Sequence, residues 1–277
     1  MTGPPGLRFR LERHASLPST NDRARTAAEL GAPEGLWILA DEQTAGRGRL
    51  GRSWRSPAGN FHGSLLLRPD RPLAECATLS LVAALAVAEA VEALTAGRLR
   101  PRVKWPNDVL VGRAKFAGIL PEAIGGADGS CDALILGIGV NLAHHPEDLG
   151  RPATSLPALG EPAPRVEIFL EALCGPLGAR YAAWREGGFA AVREAWLARA
   201  VGLGQPVRLA VGGVVHEGRL ADLGRDGSIL LESPMGCLER FGTGELFLDP
   251  PPGTAAGEAD AGFATAAESS SRGAGRL

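Results

Sequence analysis

The sequence has few of the features that mark secreted, membrane-bound or nucleic-acid-binding proteins. Its first ten residues, MTGPPGLRFR, contain no apolar core of the kind that a signal peptide needs. The longest uncharged apolar run, residues 77–88, is 12 residues long, well short of the roughly 20 that cross a membrane. The formal net charge is −2, so the basic excess that usually accompanies phosphate-backbone binding is missing. These absences predict a cytoplasmic protein that binds neither membranes nor nucleic acid.

Cysteine and histidine are scarce and scattered. The four cysteines, Cys76, Cys131, Cys174 and Cys237, form no CxxC pair. An even number would allow disulfides, but the spacing gives no framework, so reduced and mostly buried thiols are predicted. The five histidines include one close pair, His144-His145, whose side chains diverge in most backbones. A metal centre built from protein ligands is therefore not expected.

The 277 residues are 45% hydrophobic and 22% charged, which suits one sizeable globular domain plus a small one. Side chains of residues 19–22 are suited to cap a helix over 23–30. Helical spacing also covers 73–94 and 166–200, where Ile168, Leu170, Leu173, Leu177, Tyr181 and Trp184 share one stripe. Strands are predicted over 36–40, 61–67 and 134–142, with a hairpin of 102–111 and 116–120 turning near Gly112-Arg113.

The sequence pattern changes after Gly202, from long helical segments to short strand-like runs. Five short strand-like runs, 206–210, 214–220, 228–232, 237–241 and 245–248, are separated by glycines and predict a small β-barrel. The tail beyond residue 248 has almost no apolar bulk and is expected to be disordered. The predicted organisation is a catalytic domain over 7–200, a small domain over 201–249 and a tail over 250–277.

A loop rich in glycine and arginine, residues 43–60, contains the run GRGRLGR at 46–52. The run formally matches GxGxxG, but a dinucleotide site needs a helix opening directly on the last glycine, and Pro57 with Gly59 blocks one. Its three arginines are instead suited to gripping phosphate or carboxylate in a flexible loop. A solvated basic loop explains the same residues equally well.

Two further motifs stand later in the chain. KWPND at 104–108 is followed by Lys115, and the predicted hairpin would bring Asp108 and Lys115 within reach of each other. An edge hairpin with its charges facing water is the alternative. GIGVN at 137–141 places glycines inside a β-branched strand, which indicates close approach of a ligand or another backbone, or else a bulge or tight sheet packing.

Taken in order, these motifs resemble those of the biotin–protein ligases. The order is STN at 19–21, QTA at 43–45 leading into GRGRLGR and Trp54, KWPND, KFAGIL at 115–120 and GIGVN, within a resemblance covering about residues 10–250. The resemblance implies an α+β fold: a mixed β-sheet with helices on one side, similar to class II aminoacyl-tRNA synthetases, followed by a small SH3-like barrel. Some members carry an N-terminal helix-turn-helix, and the 18 residues before Ser19 are too few for one, so a member without it is expected.

The resemblance also implies a reaction. The family makes biotinyl-5′-AMP from biotin and ATP, with Mg²⁺ on the phosphates, and then passes biotin to a lysine of a biotin carboxyl carrier protein. It assigns biotin binding to Ser19, Thr20, Asn21, Gln43, Arg47, Gly48, Arg49, Trp54, Lys115 and Gly118. It assigns ATP binding to Arg49, Arg52, Lys104, Asn107 and Asn141. Arg49 and Lys115 would neutralise the two reacting anions, and Asp108, the third catalytic candidate, would orient Lys115 or help deprotonate the acceptor lysine.

Two residues depart from the family pattern. Phe61-His62 stands where an apolar residue followed by tyrosine is frequent, and Pro121 interrupts the predicted hairpin after Leu120. The nearest rival function is a lipoate–protein ligase, which shares the fold, although GRGRLGR and KWPND favour biotin. A biotin-responsive regulator is the non-enzymatic rival. The acceptor, the role of the tail and the oligomeric state, with a homodimer among the alternatives, are left open.

Overall fold

The protein was analysed as a computed structural model that describes residues 7–126, 129–148 and 150–248. The predicted disordered tail therefore lies outside the described residues. The strands are β1 Arg10–Leu17, β2 Leu36–Gln43, β3 Phe61–Leu67, β4 Arg102–Lys104, β5 Asp108–Val111, β6 Ala114–Gly125, β7 Cys131–Val140, β8 Pro206–Val211, β9 Val214–Leu223, β10 Ile229–Glu232, β11 Leu238–Phe241 and β12 Glu245–Leu248. The α-helices are α1 Thr20–Glu29, α2 Leu73–Cys76, α3 Leu79–Leu94, α4 Val166–Gly187 and α5 Arg193–Leu197.

A seven-stranded mixed sheet forms the centre of the larger part of the fold, in the order β1-β2-β3-β7-β6-β5-β4. The pair β1–β2 is parallel and the other neighbours are antiparallel. The α+β class and the mixed sheet are confirmed. Strand β1 was not predicted, because its sequence, RLERHASL, is mostly polar with no continuous apolar run, and its residues are half-buried or exposed.

The two faces of the sheet are covered differently. Odd-numbered residues of β3, such as Leu65 and Leu67, pack with α3 and α4 in the main core. Leu66, on the opposite face, packs with Ala28 of α1. The two long helices thus lie on one side, as expected, but α1 lies on the other. This arrangement leaves the rest of the α1 face open for a site.

The predicted helices are divided more finely than their periodicity indicates. Residues 73–94 form α2 and α3, separated at Ala77-Thr78, and residues 166–200 form α4, a 3₁₀ turn over 188–191, and α5. The predicted α4 stripe is buried except for Ile168, which is 46% exposed near the start of the helix. The 73–94 segment is long and apolar enough for a membrane span, with a mean hydropathy of 1.8, but it is mostly buried inside the fold, as the core helix of a sheet protein is.

The predicted hairpin of 102–111 is wrong in its first part. Residues 102–111 form two antiparallel strands, β4 and β5, joined by a turn at Trp105-Pro106, whose peptide bond is cis. The turn places Lys104 directly opposite Asp108. The turn at 112–113 is confirmed. Pro121 does not end β6. The pairing of β6 with β5 stops at Gly118, so on that side Pro121 has no strand to which it would have to donate, and on the other side it lies opposite Leu136 of β7.

The last five strands form an antiparallel sheet in the order β11-β10-β9-β8-β12. Its buried residues, including Leu209 and Leu246, join the same core cluster as the large sheet. Trp105 Nε1 donates to Gly227 O at 2.9 Å, which ties the β4–β5 turn to this smaller sheet. None of the four cysteines forms a disulfide with another described residue and three of them are buried, as predicted, whereas Cys237 is exposed.

Candidate active site

Five residues, one from each of five neighbouring strands, lie side by side across the large sheet. The pairs Lys104–Asp108, Asp108–Gly118, Gly118–Gly139 and Gly139–His62 are each directly opposite in register. Opposite residues of paired strands point to the same face, so the five form one cross-strand row. Both ends of the row carry functional groups, while its middle consists of two glycines.

The glycine pair forms a floor on which the indole of Trp54 lies. A Cβ on Gly139 would be 2.6 Å from Trp54 Nε1, and one on Gly118 would be 3.2 Å from Trp54 Cζ3. The motif glycines thus permit close approach, but by a side chain, whereas the sequence indicated a ligand or another backbone. Trp54 Nε1 is buried and has no hydrogen-bond partner among the described residues. A flat aromatic surface with an unused donor therefore covers the middle of the row.

A buried polar network surrounds the start of α1, next to the glycine floor. Gln43 Oε1 accepts from Thr20 N at 2.9 Å and from Thr20 Oγ1 at 3.1 Å, and Gln43 Nε2 donates to Ser56 Oγ at 2.8 Å. Ser64 Oγ lies 2.7 Å from Thr20 Oγ1 and 2.6 Å from Asn21 Oδ1. These uncharged groups, most of them buried, supply the kind of donors and acceptors that bind a neutral polar ring.

The network also corrects the expected capping of α1. The helix begins at Thr20, earlier than predicted, and Ser19 occupies its N-cap position without a side-chain hydrogen bond. Gln43 satisfies the Thr20 amide instead. Gly137 is needed below the network, because a Cβ there would come within 2.4 Å of Asn21 Oδ1.

Lys115 and Asp108 form an ion pair beside the glycine floor, with 2.6 Å between Lys115 Nζ and Asp108 Oδ1. The contact lacks hydrogen-bond geometry, since Asp108 Oδ1 accepts no such bond from a described residue. Lys115 Nζ also lies 5.4 Å from the centroid of the Trp54 ring. The predicted approach of Asp108 and Lys115 is confirmed, and the ammonium is held between a carboxylate and an aromatic face.

The backbone of Lys115 is fixed by a neighbouring segment. Lys115 N donates to Pro152 O at 2.8 Å and Lys115 O accepts from Thr154 N at 2.9 Å. Asn141 is buried and donates from Nδ2 to Thr154 O at 3.2 Å. Asn141, predicted to bind ATP, thus holds the segment that flanks Lys115.

The GRGRLGR segment is folded back on itself rather than extended. Bridges join Gln43 to Ser56 and Arg47 to Ser53, and Gly48 N donates to Arg52 O at 2.7 Å. At its tip, Leu50 is 75% exposed with φ of 58°, the left-handed region that side chains rarely adopt. We call residues 43–56 the arginine hairpin. The sequence did not indicate the hairpin, because its bridges and partners lie far apart along the chain.

Each arginine of the hairpin has a different partner. Arg47 donates to Asp22 on α1 at 2.7 Å, and this hydrogen bond holds the pKa of the Asp22 carboxyl below its usual range. Arg49 lies within 3.4 Å of Asn107 Oδ1 and 3.3 Å of Gly244 O, and burial lowers the pKa of its guanidinium. Asn107 in turn donates to Ile119 O at 2.7 Å. Through Asn107, Arg49 contacts the residue next to Asp108 of the cross-strand row.

Glu245 of the smaller sheet binds the third arginine. Arg52 Nη1 donates to Glu245 Oε1 at 2.8 Å, and Arg151 bonds to the same carboxylate. Burial raises the pKa of Glu245, but the hydrogen bonds from Arg52 and Arg151 outweigh it and bring the pKa to about 2. The smaller sheet therefore supplies both Gly244 O and Glu245 as anchors of the arginine hairpin.

Lys104 stands at the other end of the cross-strand row, 6.0 Å from the Phe247 ring centroid. Burial lowers the pKa of its ammonium, although the Asp108 charge acts against this. Lys104 and Lys115 are the only lysines in the sequence, and every other basic side chain is arginine or histidine. Both lysine side chains of the sequence thus belong to this one site.

Most of the residues singled out in the sequence meet here, and the structure adds several others. Ser56, Ser64 and Asn60 are buried polar residues that the motifs do not include. Asn60 Oδ1 accepts from the amides of Ala143 and His144 at 2.8 and 2.9 Å, which fixes the loop after β7. A serine inside an apolar strand was the one available signal for Ser64. Chemically, the site joins a neutral polar pocket to a group of cations, an arrangement that can hold an uncharged ring and bring two anions together.

Comparison with known proteins places the chain in a family. Residues 14–141 match the Biotin/lipoate A/B protein ligase family. The biotin–[acetyl-CoA-carboxylase] ligase of Paracoccus denitrificans is 42% identical over 228 residues, which cover 80% of this chain and 94% of that protein. The chain belongs to the biotin–protein ligase family. The family resemblance inferred from the motifs is thereby confirmed.

Other relatives of the ligase agree. The bifunctional ligase/repressor BirA of Bacillus subtilis (strain 168) is 37% identical, over 80% of the ligase and 69% of that protein. The biotin protein ligase of Aquifex aeolicus, in complex with biotin and ATP, superposes with a TM-score of 0.72 at 31% identity, covering 86% of the ligase and 97% of that chain. The Leishmania major enzyme in complex with biotinyl-5-AMP gives 0.58 at 25% identity, covering 86% and 99%.

Proposed function

We propose that the ligase activates biotin with ATP to biotinyl-5′-AMP and transfers biotin to a lysine of a biotin carboxyl carrier protein. The observation that carries this proposal is the junction between the neutral network of Thr20, Asn21 and Gln43 and the Lys115–Asp108 ion pair. The network suits the ureido ring of biotin, and the ion pair lies where its carboxylate would meet ATP. Ser19, at the N-cap of α1, Gly118, next to Trp54 and Lys115, and Gly48, in the arginine hairpin, would contact the bound biotin.

In the first step a biotin carboxylate oxygen attacks the α-phosphorus of ATP, and pyrophosphate leaves. Lys115 and Arg49 offset the charge of the two anions as they approach, and Trp54 excludes water from the reacting carboxylate. Lys104, Asn107 and Arg52 line the side toward the phosphates. We assign Asp108 to positioning Lys115, because the two are already paired at 2.6 Å.

In the second step the neutral amine of the acceptor lysine attacks the acyl carbon, AMP leaves with the electron pair of the broken acyl C–O bond, and the nitrogen gives up one proton to solvent. Arg47, held by Asp22, and Asn141, which braces the segment beside Lys115, support the site without facing the reacting atoms. No group of three or more His, Cys, Asp or Glu that could hold a metal occurs among the described residues. One carboxylate, Asp108, is enough for Mg²⁺ carried mainly by ATP phosphates, and that ion would neutralise phosphate charge.

We also infer that the five-stranded sheet forms the family's SH3-like barrel over 201–249, that the mixed sheet has the class II aminoacyl-tRNA synthetase-like arrangement, and that the enzyme works in the cytoplasm. The deciding experiment measures pyrophosphate release with biotin and ATP, followed by transfer of labelled biotin to a purified carrier domain. Lipoate in place of biotin is the control for the rival activity. Release that requires lipoate, or no release with either acid, contradicts the proposal.

A further inference from the structure

One buried side chain on the floor of the site has a polar atom that forms no hydrogen bond with any described residue. His62 is 1% exposed, and its Nδ1 has no hydrogen-bond partner among the described residues. A buried polar atom without a partner costs about 1–3 kcal/mol, so such atoms are rare unless a ligand or water uses them. The other ring nitrogen, Nε2, lies 3.1 Å from Pro57 O.

The contact with Pro57 settles which nitrogen carries the hydrogen. A carbonyl oxygen only accepts hydrogen bonds, so Nε2 of His62 is the donor. Burial lowers the pKa of the imidazole, which favours the neutral ring. In a neutral ring with the hydrogen on Nε2, Nδ1 is an acceptor. The unused atom is therefore a hydrogen-bond acceptor of fixed orientation.

The position of His62 places this acceptor beside the polar network. His62 lies opposite Gly139 in the cross-strand row, and Gly139 carries the Trp54 indole. Two residues along β3, on the same face, is Ser64, which bonds to Thr20 and Asn21. His62 is thus bordered on one side by the aromatic cover and on the other by the network.

We propose that His62 is a specificity-determining residue, whose Nδ1 accepts a hydrogen bond from an N–H of the ureido ring of biotin. The proposal rests on the proposed function. The dithiolane ring of lipoate has no N–H or O–H group, so lipoate in the same pocket would leave the acceptor buried and unpaired. His62 would then favour biotin both by the bond it makes and by the penalty that it imposes on an apolar ring.

The test compares two replacements of His62. His62→Leu removes the acceptor, whereas His62→Asn can place an amide oxygen near the former Nδ1 position. We expect His62→Leu to raise the Kd for biotin by roughly 10- to 100-fold, the range that an unpaired buried group implies, and His62→Asn to recover most of this loss. The kcat/KM for lipoate-dependent pyrophosphate release should stay unchanged or rise in His62→Leu. His216→Leu, in the smaller sheet against Phe241, is the matched control and should bind biotin like the parent.

A second measurement needs no variant and so does not depend on the folding of His62→Leu. In the parent labelled with ¹⁵N-histidine, the His62 nitrogen without hydrogen should shift upfield when biotin is added, because it then accepts a hydrogen bond. Lipoate at the same concentration should leave it unshifted. Three results would each overturn the proposal. The first is an equal loss of biotin affinity in His62→Leu and His62→Asn, and the second is a parallel loss of activity with biotin and with lipoate in His62→Leu. The third is an Nδ1 signal that does not change when biotin is added. A parent that lacks biotin-dependent pyrophosphate release would instead refute the proposed function.

Discussion

Replacing Gly139 with alanine tests whether the glycine floor exists to seat Trp54. The added Cβ would lie 2.6 Å from two indole atoms, Nε1 and Cε2, closer than real Cβ contacts come. The backbone at Gly139 is not in the left-handed region, so alanine is not strained by its own conformation. The substitution therefore perturbs one contact, the seat of the indole.

The structure allows two ways of relieving the clash. If Trp54 stays, the surrounding residues must shift, and overpacking of this kind costs about 1–3 kcal/mol. For a chain of this size that corresponds to a fall in Tm of roughly 2–12 °C. If instead the arginine hairpin lifts away, the cost to global stability is small, but the hairpin loses the indole as an anchor. Activity should fall in either case, by up to about 100-fold, because Arg49 and Lys115 lose their relative placement.

Trypsin provides the most direct assay, since the hairpin contains three of its cleavage sites between Gly46 and Arg52. We expect Gly139→Ala to be cut within 46–52 faster than the parent, together with slower biotin-dependent pyrophosphate release. Gly125→Ala on β6 is the matched control, because its Cβ would meet Leu73 Cδ2 at 3.6 Å and Ser130 O at 3.8 Å, both ordinary contact distances. If Gly139→Ala matches both the parent and this control in cleavage, Tm and turnover, the indole does not depend on the glycine floor.

Three further outcomes are expected. Lys115→Ala should keep the Tm of the parent while adenylate formation falls by about 10²–10³, the usual cost of one preorganised charge contact; full activity in a folded variant would contradict its role. Glu245 has its folded pKa lowered to about 2 from 4.5, so its contribution to stability is complete above pH 4.5 and is lost as the pH falls toward 2. Urea unfolding of Glu245→Gln should therefore show a shallower loss over that range than the parent, and identical slopes would argue against the ion pairs. Arg49→Gly should release adenylate that labels albumin in the same solution, whereas Arg55→Gly, where the arginine pairs with exposed Asp148, should not; equal labelling would refute a shielding role for the hairpin.

The parts of the fold that the sequence predicts best are those whose burial is continuous. All seven residues of β3 are buried, and α3 is buried along most of its length, so apolar runs alone identify them. Strand β1 is different, since it lies at an edge and alternates exposed charges with half-buried residues. The KWPND motif was identified as a candidate functional motif, but the turn within it was not predicted, because a three-residue strand such as β4 is too short to show a period.

The site likewise contains some contacts that the sequence predicts and others that it does not. Asp108 and Lys115 are seven residues apart and share a hairpin, so their contact follows from local structure. The contacts of Arg49 with Gly244 and of Arg52 with Glu245 join residues nearly 200 positions apart, which no local pattern predicts. His62 was noticed as a departure from the family pattern, but its unused acceptor becomes visible only when Pro57 and Gly139 are placed around it.

The near absence of lysine has a consequence for an enzyme that makes an acyl-adenylate. Such mixed anhydrides acylate free amines, whereas guanidinium groups are protonated and unreactive at neutral pH. Apart from its amino terminus, the ligase offers only Lys104, which is half-buried, and Lys115, which is paired with Asp108. An arginine-coated surface therefore leaves the protein nearly inert toward its own intermediate. In a mixture with albumin, biotin found on lysine side chains would report almost wholly on adenylate that had left the site, with very little background from self-labelling.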